Sequence, residues 1–254
     1  MPNIVKNRSS SLINFNLNPK ANSRLFCFHW AGGNANAFKA WHRFLPSSVE
    51  VWAIQLPGRM HLASLEPYTD MHALVDRLYK DLMPYLIDKP FSFFGHSLGG
   101  LIGFELAHYI QERQVITPIK IIASACMAPN NTQRPSSTPL TENEIFEKLR
   151  ASNGTPSDIL NDKELFSMFL PIMKADFSLY QNYYYKSGRQ LDCPITVFGG
   201  RDDDISEKGL FDWHMETTKP CVLQMISGGH FFIHQSPDEF FPKLSNELTL
   251  GVQP

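Results

Sequence analysis

The sequence predicts an α/β protein built on a mostly parallel sheet with helices on both faces. Three observations carry this. Short, almost wholly apolar runs recur along the chain and read as strands buried on both sides. Segments with apolar residues at helical spacing alternate with them, the rhythm of strand–helix–strand units. The chain has 254 residues, 43% hydrophobic and 12% aromatic, enough for one large core.

The elements follow in order. Residues 24–30 (RLFCFHW) form a strand, then the small-residue turn Ala31-Gly32-Gly33-Asn34, then a helix over about 35–44. Residues 49–56 (VEVWAIQL) are the next strand, stopped by Pro57-Gly58. Asp70 suits the N-cap of a helix reaching about 87, with Leu74, Val75, Leu78 and Leu82 on one face. Residues 91–94 (FSFF) make a short strand, and 98–112 a helix apolar nearly all round, hence central. Strands at 119–125, 194–198 and 222–226 follow, then an amphipathic helix over 237–248 with Pro237 in its first turn.

One segment breaks the rhythm. Residues 129–186 contain no strand-like run; they open polar and Pro-rich (NNTQRPSSTP) and become helical over 142–149, 162–170 and 172–185. This reads as a helical lid, about 130–186, inserted in a single domain spanning 24–254. Residues 1–23, with Lys6, Arg8 and three consecutive serines, read as a poorly ordered leader without the apolar stretch of a secretion signal.

Composition excludes several classes. Lys plus Arg number 23 and Asp plus Glu 25, a formal charge of −2, so no basic excess points to nucleic acid. No apolar run is long enough to span a bilayer. Cys27, Cys126, Cys193 and Cys221 show no CxxC spacing and read as reduced, mostly buried thiols of a cytoplasmic protein. The glycosylation-like triplets at Asn7, Asn130 and Asn153 are then chance matches. Phosphate-binding, dinucleotide-binding, zinc-protease and EF-hand motifs are missing, so no metal or nucleotide cofactor is indicated. Nothing points to an oligomer, and a monomer is expected.

The chemistry concentrates at Gly95-His96-Ser97-Leu98-Gly99, a G-x-S-x-G pattern between an apolar strand and an apolar helix. Such a serine sits on a strained turn, with glycines where side chains would collide and helix N–H groups behind the hydroxyl. A serine hydroxyl is a weak nucleophile and needs an oriented base. In this architecture the order is Ser, acid, His. Gly199-Gly200-Arg201-Asp202-Asp203-Asp204 and Ser227-Gly228-Gly229-His230 follow the two later strands and fall on the same sheet edge as Ser97.

His230 is favoured over the other histidines because two glycines allow a sharp turn before it. His42, His61, His72, His108 and His214 lie away from strand ends, His96 should point away from the Ser97 hydroxyl, and His234 enters the next segment. The acid is one of three consecutive aspartates, preferred in the order Asp203, Asp202, Asp204. The alternative turn after 119–125 carries no carboxylate. An oxyanion needs two N–H donors, for which Leu98 and Ala31 are the candidates. His29, at the end of the first strand, is placed to touch substrate.

These residues resemble the type II thioesterases of the α/β-hydrolase superfamily, the stand-alone enzymes accompanying nonribosomal peptide and polyketide synthases. The resemblance rests on Cys27-Phe28-His29-Trp30-Ala31-Gly32-Gly33, Gln55-Leu56-Pro57-Gly58-Arg59, Phe94 to Gly100, Gly228-Gly229-His230-Phe231-Phe232, and Pro171-Ile172-Met173-Lys174-Ala175-Asp176-Phe177, which is similar to the family's lid helix. The second and the last are the more specific stretches. The chain departs from the family where His29 replaces a frequent proline, where Met60 replaces an acidic residue, and in the bulk of Trp30; these bear on substrate preference.

The resemblance implies a Ser97, Asp203 and His230 triad with Ala31 and Leu98 as the oxyanion hole. It further implies an acyl thioester substrate on the phosphopantetheine arm of an acyl or peptidyl carrier protein, for editing or product release. His29, Trp30, Phe177 and Tyr180 would contact that substrate. The lid aromatics also fit simple packing onto the sheet. Two rivals share the features: a carboxylesterase or lipase acting on free esters, and a catalytically silent carrier-binding module, against which the complete triad speaks.

Overall fold

Phe93 and Phe94 show how the sheet is built. They are consecutive in one strand, so their side chains leave on opposite faces. Phe93 packs with Phe26 and Phe28 in one apolar cluster, Phe94 with Leu25 and Cys27 in another. Each strand feeds two cores, which is why the strands read as unbroken apolar runs.

The structure, a computed structural model, describes residues 3–4, 10–113, 116–131, 138–152, 154–155 and 157–249. Its elements are β1 (Asn3–Ile4), β2 (Leu12–Asn14), β3 (Ser23–Phe28), β4 (Val49–Ile54), α1 (Met71–Leu86), β5 (Phe91–His96), α2 (Leu98–Arg113), β6 (Lys120–Ser124), α3 (Glu142–Ser152), α4 (Ser157–Asn161), α5 (Lys163–Gln181), β7 (Ile195–Gly200), α6 (Glu207–Phe211), β8 (Cys221–Ile226), α7 (Phe232–Gln235) and α8 (Pro237–Thr249). The strands form one sheet in the order β1-β2-β4-β3-β5-β6-β7-β8. From β4 to β8 every pairing is parallel, whereas β2 joins β4 and β1 joins β2 antiparallel. Helices α1 and α2 cover one face; α8 and the tight turns at Ala35–Phe38 and Trp41–Arg43 cover the other. The lid helices α3 to α5 lie between β6 and β7 and share a small core of Ile145, Leu149, Leu170 and Met173, onto which Ala31 packs.

Asp70 caps α1 as expected, its carboxylate accepting from the Ala73 N–H at 2.8 Å. Three expectations are corrected. The leader is not loose from Ser10 onward. Ile13 pairs with Ala53, Leu12 and Ile13 are buried on opposite faces, and the buried Glu50 accepts from the Asn14 amide at 3.0 Å. A three-residue strand in a polar stretch carries too little periodicity to be read locally; the open edge of β4 is what recruits it. Residues 1–2 and 5–9 of the leader, Thr132 and Asn153 of the glycosylation-like triplets, and 132–137 of the polar stretch lie outside the described residues. Residues 35–44 form two 3-10 turns instead of one α-helix, because the three-residue spacing of Phe38 and Trp41 buries both rings on one side. Pro171 does not divide the lid: α5 runs through it, with buried Leu170 and Met173 on either side holding both halves to the same core. Short α4, α6 and α7, with no periodicity of their own, have no counterpart among the expected elements.

The strands that bear the candidate residues, β3, β5, β7 and β8, are parallel, so their C-terminal turns share one edge. β4 and β5 flank β3 on opposite sides, making this the switch point where α/β sheets bind ligands. Among the described residues no helix is long and apolar enough to cross a membrane.

Candidate active site

The serine turn is strained in the way its glycines require. Ser97 has φ of 54°, a left-handed conformation costly for a residue with a Cβ. A Cβ on Gly95 would strike the Gly99 backbone, and one on Gly99 the Phe28 carbonyl, so β5, α2 and β3 meet here only through glycine. The Ser97 N–H donates to the Ser124 carbonyl at 2.8 Å, tying the turn to β6. His96 is wholly buried, bonded to the Ser124 hydroxyl at 2.9 Å, and burial holds its pKa well below the ordinary histidine value.

His230 stands on the turn after β8. Its ring packs on that of His96, next to Ser97, at 5.4 Å between centroids. Its Nδ1 lies 2.9 Å from Asp203 Oδ2, with the aspartate side chain 5% exposed and the histidine 21%. Asp202 and Asp204 are both exposed, so the structure brings Asp203 alone of the three to the imidazole. Gly200 makes this possible: a Cβ there would collide with the Gly229 carbonyl, and the acid turn and the histidine turn touch at that point.

The turn after β3 is the most heavily bonded part of the site. The Trp30 carbonyl accepts from the Gly33 N–H at 2.9 Å and from His29 Nδ1 at 2.8 Å. The Gly32 N–H donates to Asp176 Oδ2 at 2.7 Å. Arg59 donates to the Gly33 carbonyl at 3.1 Å and to both Asp176 oxygens, at 2.8 and 2.7 Å. The Ala35 N–H donates to Gln55 Oε1 at 3.1 Å. Among the described residues, the Ala31 and Leu98 N–H groups have no protein acceptor. The roles of Arg59 and Asp176 were not read from sequence. They are 117 residues apart, and the only trace of them was that both fall in the two most specific stretches of the resemblance.

A cavity of about 610 Å³ opens beside this turn under the lid. Trp30, Met60, Ile159, Phe169, Ile172 and His234 line it, with Gly32 and Gly33. Of the four side chains expected to meet substrate, Trp30 lines this cavity and the other three do not. His29 is 1% exposed, folded beneath the turn, where burial and the Arg59 charge push its pKa down to about 4. Phe177 faces α3 across a separate groove with Leu140 and Ile145, because it sits about 100° round the helix from Asp176. Tyr180, a further turn along α5, packs into the main core with its hydroxyl 3.9 Å from Cys126 Sγ. All four cysteines are free thiols.

The family model for the thioesterase domain matches residues 23–248. The chain is 38% identical over 244 residues to the gramicidin S biosynthesis protein GrsT of Aneurinibacillus migulanus, covering 95% of each chain. It is 33% identical over 232 residues to the medium-chain S-acyl fatty acid synthase thioesterase of Rattus norvegicus, covering 89% of this chain and 87% of that one. Among solved structures it is similar to RedJ, a thioesterase from the prodiginine biosynthetic pathway in Streptomyces coelicolor. The TM-score is 0.82 and the identity 29%, covering 89% of this chain and 86% of that one. A strained serine turn, a histidine–aspartate pair on the same sheet edge and a match along nearly the whole chain place this protein in the thioesterase family, as a serine hydrolase of the α/β-hydrolase fold.

Proposed function

We propose that this thioesterase removes acyl groups from the phosphopantetheine arm of carrier proteins, as an editing or release enzyme of nonribosomal peptide or polyketide synthesis. One observation carries the reading. Ser97, the His230–Asp203 pair and the unpaired Ala31 and Leu98 N–H groups occupy neighbouring turns of one sheet edge, and a mainly apolar cavity, lined by Trp30 but by none of the three triad residues, opens next to the Ala31 turn, in a chain similar to GrsT along its length.

The steps follow from these groups. His230 takes the Ser97 proton as the hydroxyl oxygen attacks the thioester carbonyl carbon. The oxyanion lies between the Ala31 and Leu98 N–H groups, which need no reorganisation to receive it. Collapse breaks the C–S bond, and His230 returns the proton to the departing thiol. Water, activated by the same imidazole, then releases the carboxylic acid and restores the Ser97 hydroxyl. Asp203 keeps the imidazole in the tautomer that accepts at Nε2 and stabilises its charged form. Trp30, Ile159, Phe169 and Ile172 give an acyl chain apolar walls.

The test is a panel of acyl groups loaded on a carrier protein, run beside short-chain free esters, with a fluorophosphonate probe of Ser97. Turnover of the carrier-bound thioesters with labelling of Ser97 is expected. Free esters turning over well while acylated carriers stay untouched would make the protein an esterase. Absence of labelling would make it a binding module.

A further inference from the structure

We propose that His29 is a positioning residue for catalysis: by donating its Nδ1 proton to the Trp30 carbonyl, it aims the Ala31 N–H at the oxyanion. The inference rests on the assignment of Ala31 to the oxyanion hole and deepens it.

A trans peptide unit is planar, with its C=O and N–H pointing in opposite directions. The Trp30 carbonyl and the Ala31 N–H belong to one such unit, so whatever fixes the first aims the second. Two donors fix it, the Gly33 N–H at 2.9 Å and His29 Nδ1 at 2.8 Å, and a carbonyl oxygen has two lone pairs to give. The following groups are held as well, the Gly32 N–H by Asp176 and the Gly33 carbonyl by Arg59. Of these contacts, the one from His29 is the side-chain bond made to the Trp30–Ala31 peptide itself.

The chemistry of the imidazole agrees. Its partner is a carbonyl, so Nδ1 carries the proton. Nε2 is buried with no hydrogen-bond partner, which leaves the ring neutral and donating from one nitrogen. An apolar side chain would fill the space without burying an unpaired nitrogen. What imidazole adds is the donor. Gly33 keeps this contact uncrowded: a Cβ there would press on it, 3.2 Å from Nδ1 and 3.0 Å from the Trp30 oxygen.

The experiment compares His29→Leu, which removes the donor, with His29→Asn, whose side-chain amide nitrogen takes the place of Nδ1. For each, kcat and KM for a carrier-bound acyl thioester, the affinity for an acyl trifluoromethyl ketone and the melting temperature are measured. A ketone forms a tetrahedral adduct and reads the oxyanion hole directly. His29→Leu should lower kcat roughly ten- to hundredfold with KM within about threefold, less than the loss of a whole oxyanion donor. Ketone affinity should fall in the same proportion, and His29→Asn should keep both near wild type. If His29→Leu does not fold, His29→Met carries the same comparison. Equal kcat losses in the Asn and Leu variants, or a change in melting temperature alone, would overturn the proposal and make His29 a packing residue. Should wild type bind the ketone but leave acylated carriers untouched, the substrate assignment fails while the ketone comparison still decides the role of His29.

Discussion

Two aspartates sit at opposite corners of the active site, and their partners give them different work. Asp203 meets His230 at 2.9 Å, and Asp176 meets Arg59 at 2.7 and 2.8 Å. The carboxylates are similarly buried, at 5% and 2% exposure. The bases differ. His230 is 21% exposed and makes one bond to its aspartate, through an imidazole, the side chain most often used for general acid–base work. Arg59 is 6% exposed and grips its aspartate with two parallel bonds from a planar guanidinium. The first corner can move a proton. The second can only hold a shape, and what it holds is the turn bearing Ala31. A buried carboxylate at an active site is therefore assigned by the base it faces.

The largest effects belong to the first corner. Ser97→Ala should lower kcat by roughly 10⁶-fold, measured on a carrier-bound thioester with the fold checked by circular dichroism. Asp203→Asn should lower it on the order of 10⁴-fold, because the asparagine leaves the imidazole in the wrong tautomer. The second corner should fail in stability first. Asp176→Leu leaves Arg59 charged and buried, which should cost about 3 to 5 kcal/mol in urea unfolding. Combining it with Arg59→Met should recover most of that, since an apolar pair avoids the desolvation that the ion pair suffers. A large loss in the double variant would show that the pair stabilises the fold beyond its packing.

Acid sharpens the comparison from the side of His29. Burial, then Arg59, push its pKa from 6.5 to about 4, and burial likewise lowers His108 to about 3 and His96 well below its usual value. Between those values and 6.5 the unfolded chain binds protons that the native chain does not. The contribution is complete above about 6.5 and is lost as pH falls towards 4. For His29 the loss amounts to about 3 kcal/mol, and His29→Asn should flatten the acid limb of a stability–pH curve by that much. Glu216 runs the other way. Burial raises its pKa to about 7, so its native form keeps a proton the unfolded chain has released, and stability declines as pH rises through 4.5 to 7. Smallest of all, Asp202→Asn and Asp204→Asn, both on exposed carboxylates, should leave kcat within about threefold.

The same contrast explains what the sequence could disclose. The first corner is written in local patterns: an apolar strand, two glycines around Ser97, two more before His230. Parallel strands bring those patterns to one edge, so listing them in order nearly builds the site. Even there three adjacent aspartates allowed a preference for Asp203 and no more, and burial against His230 is what separates it from Asp202 and Asp204. The second corner has no local pattern. Arg59 leaves a loop and Asp176 a helix, and they meet because α5 folds over the β3 turn. Phe177 and Tyr180 pack away from the cavity beside Trp30 for the same reason: helix spacing ranks faces, but which face meets which neighbour depends on how α5 lies. His29 is subtler. Its position at the end of β3 was legible, while its orientation beneath the turn depends on a single hydrogen bond to the adjacent carbonyl.

The central claim is that Ser97 carries the acyl group between a carrier-bound thioester and water. Rapid mixing of the enzyme with an acylated carrier protein, acid quenching and mass analysis of the peptide containing Ser97 tests it directly. The account predicts a transient mass increase equal to the acyl group on that peptide, absent in Ser97→Ala. Turnover without acyl on Ser97, or wild-type turnover by Ser97→Ala, would contradict it.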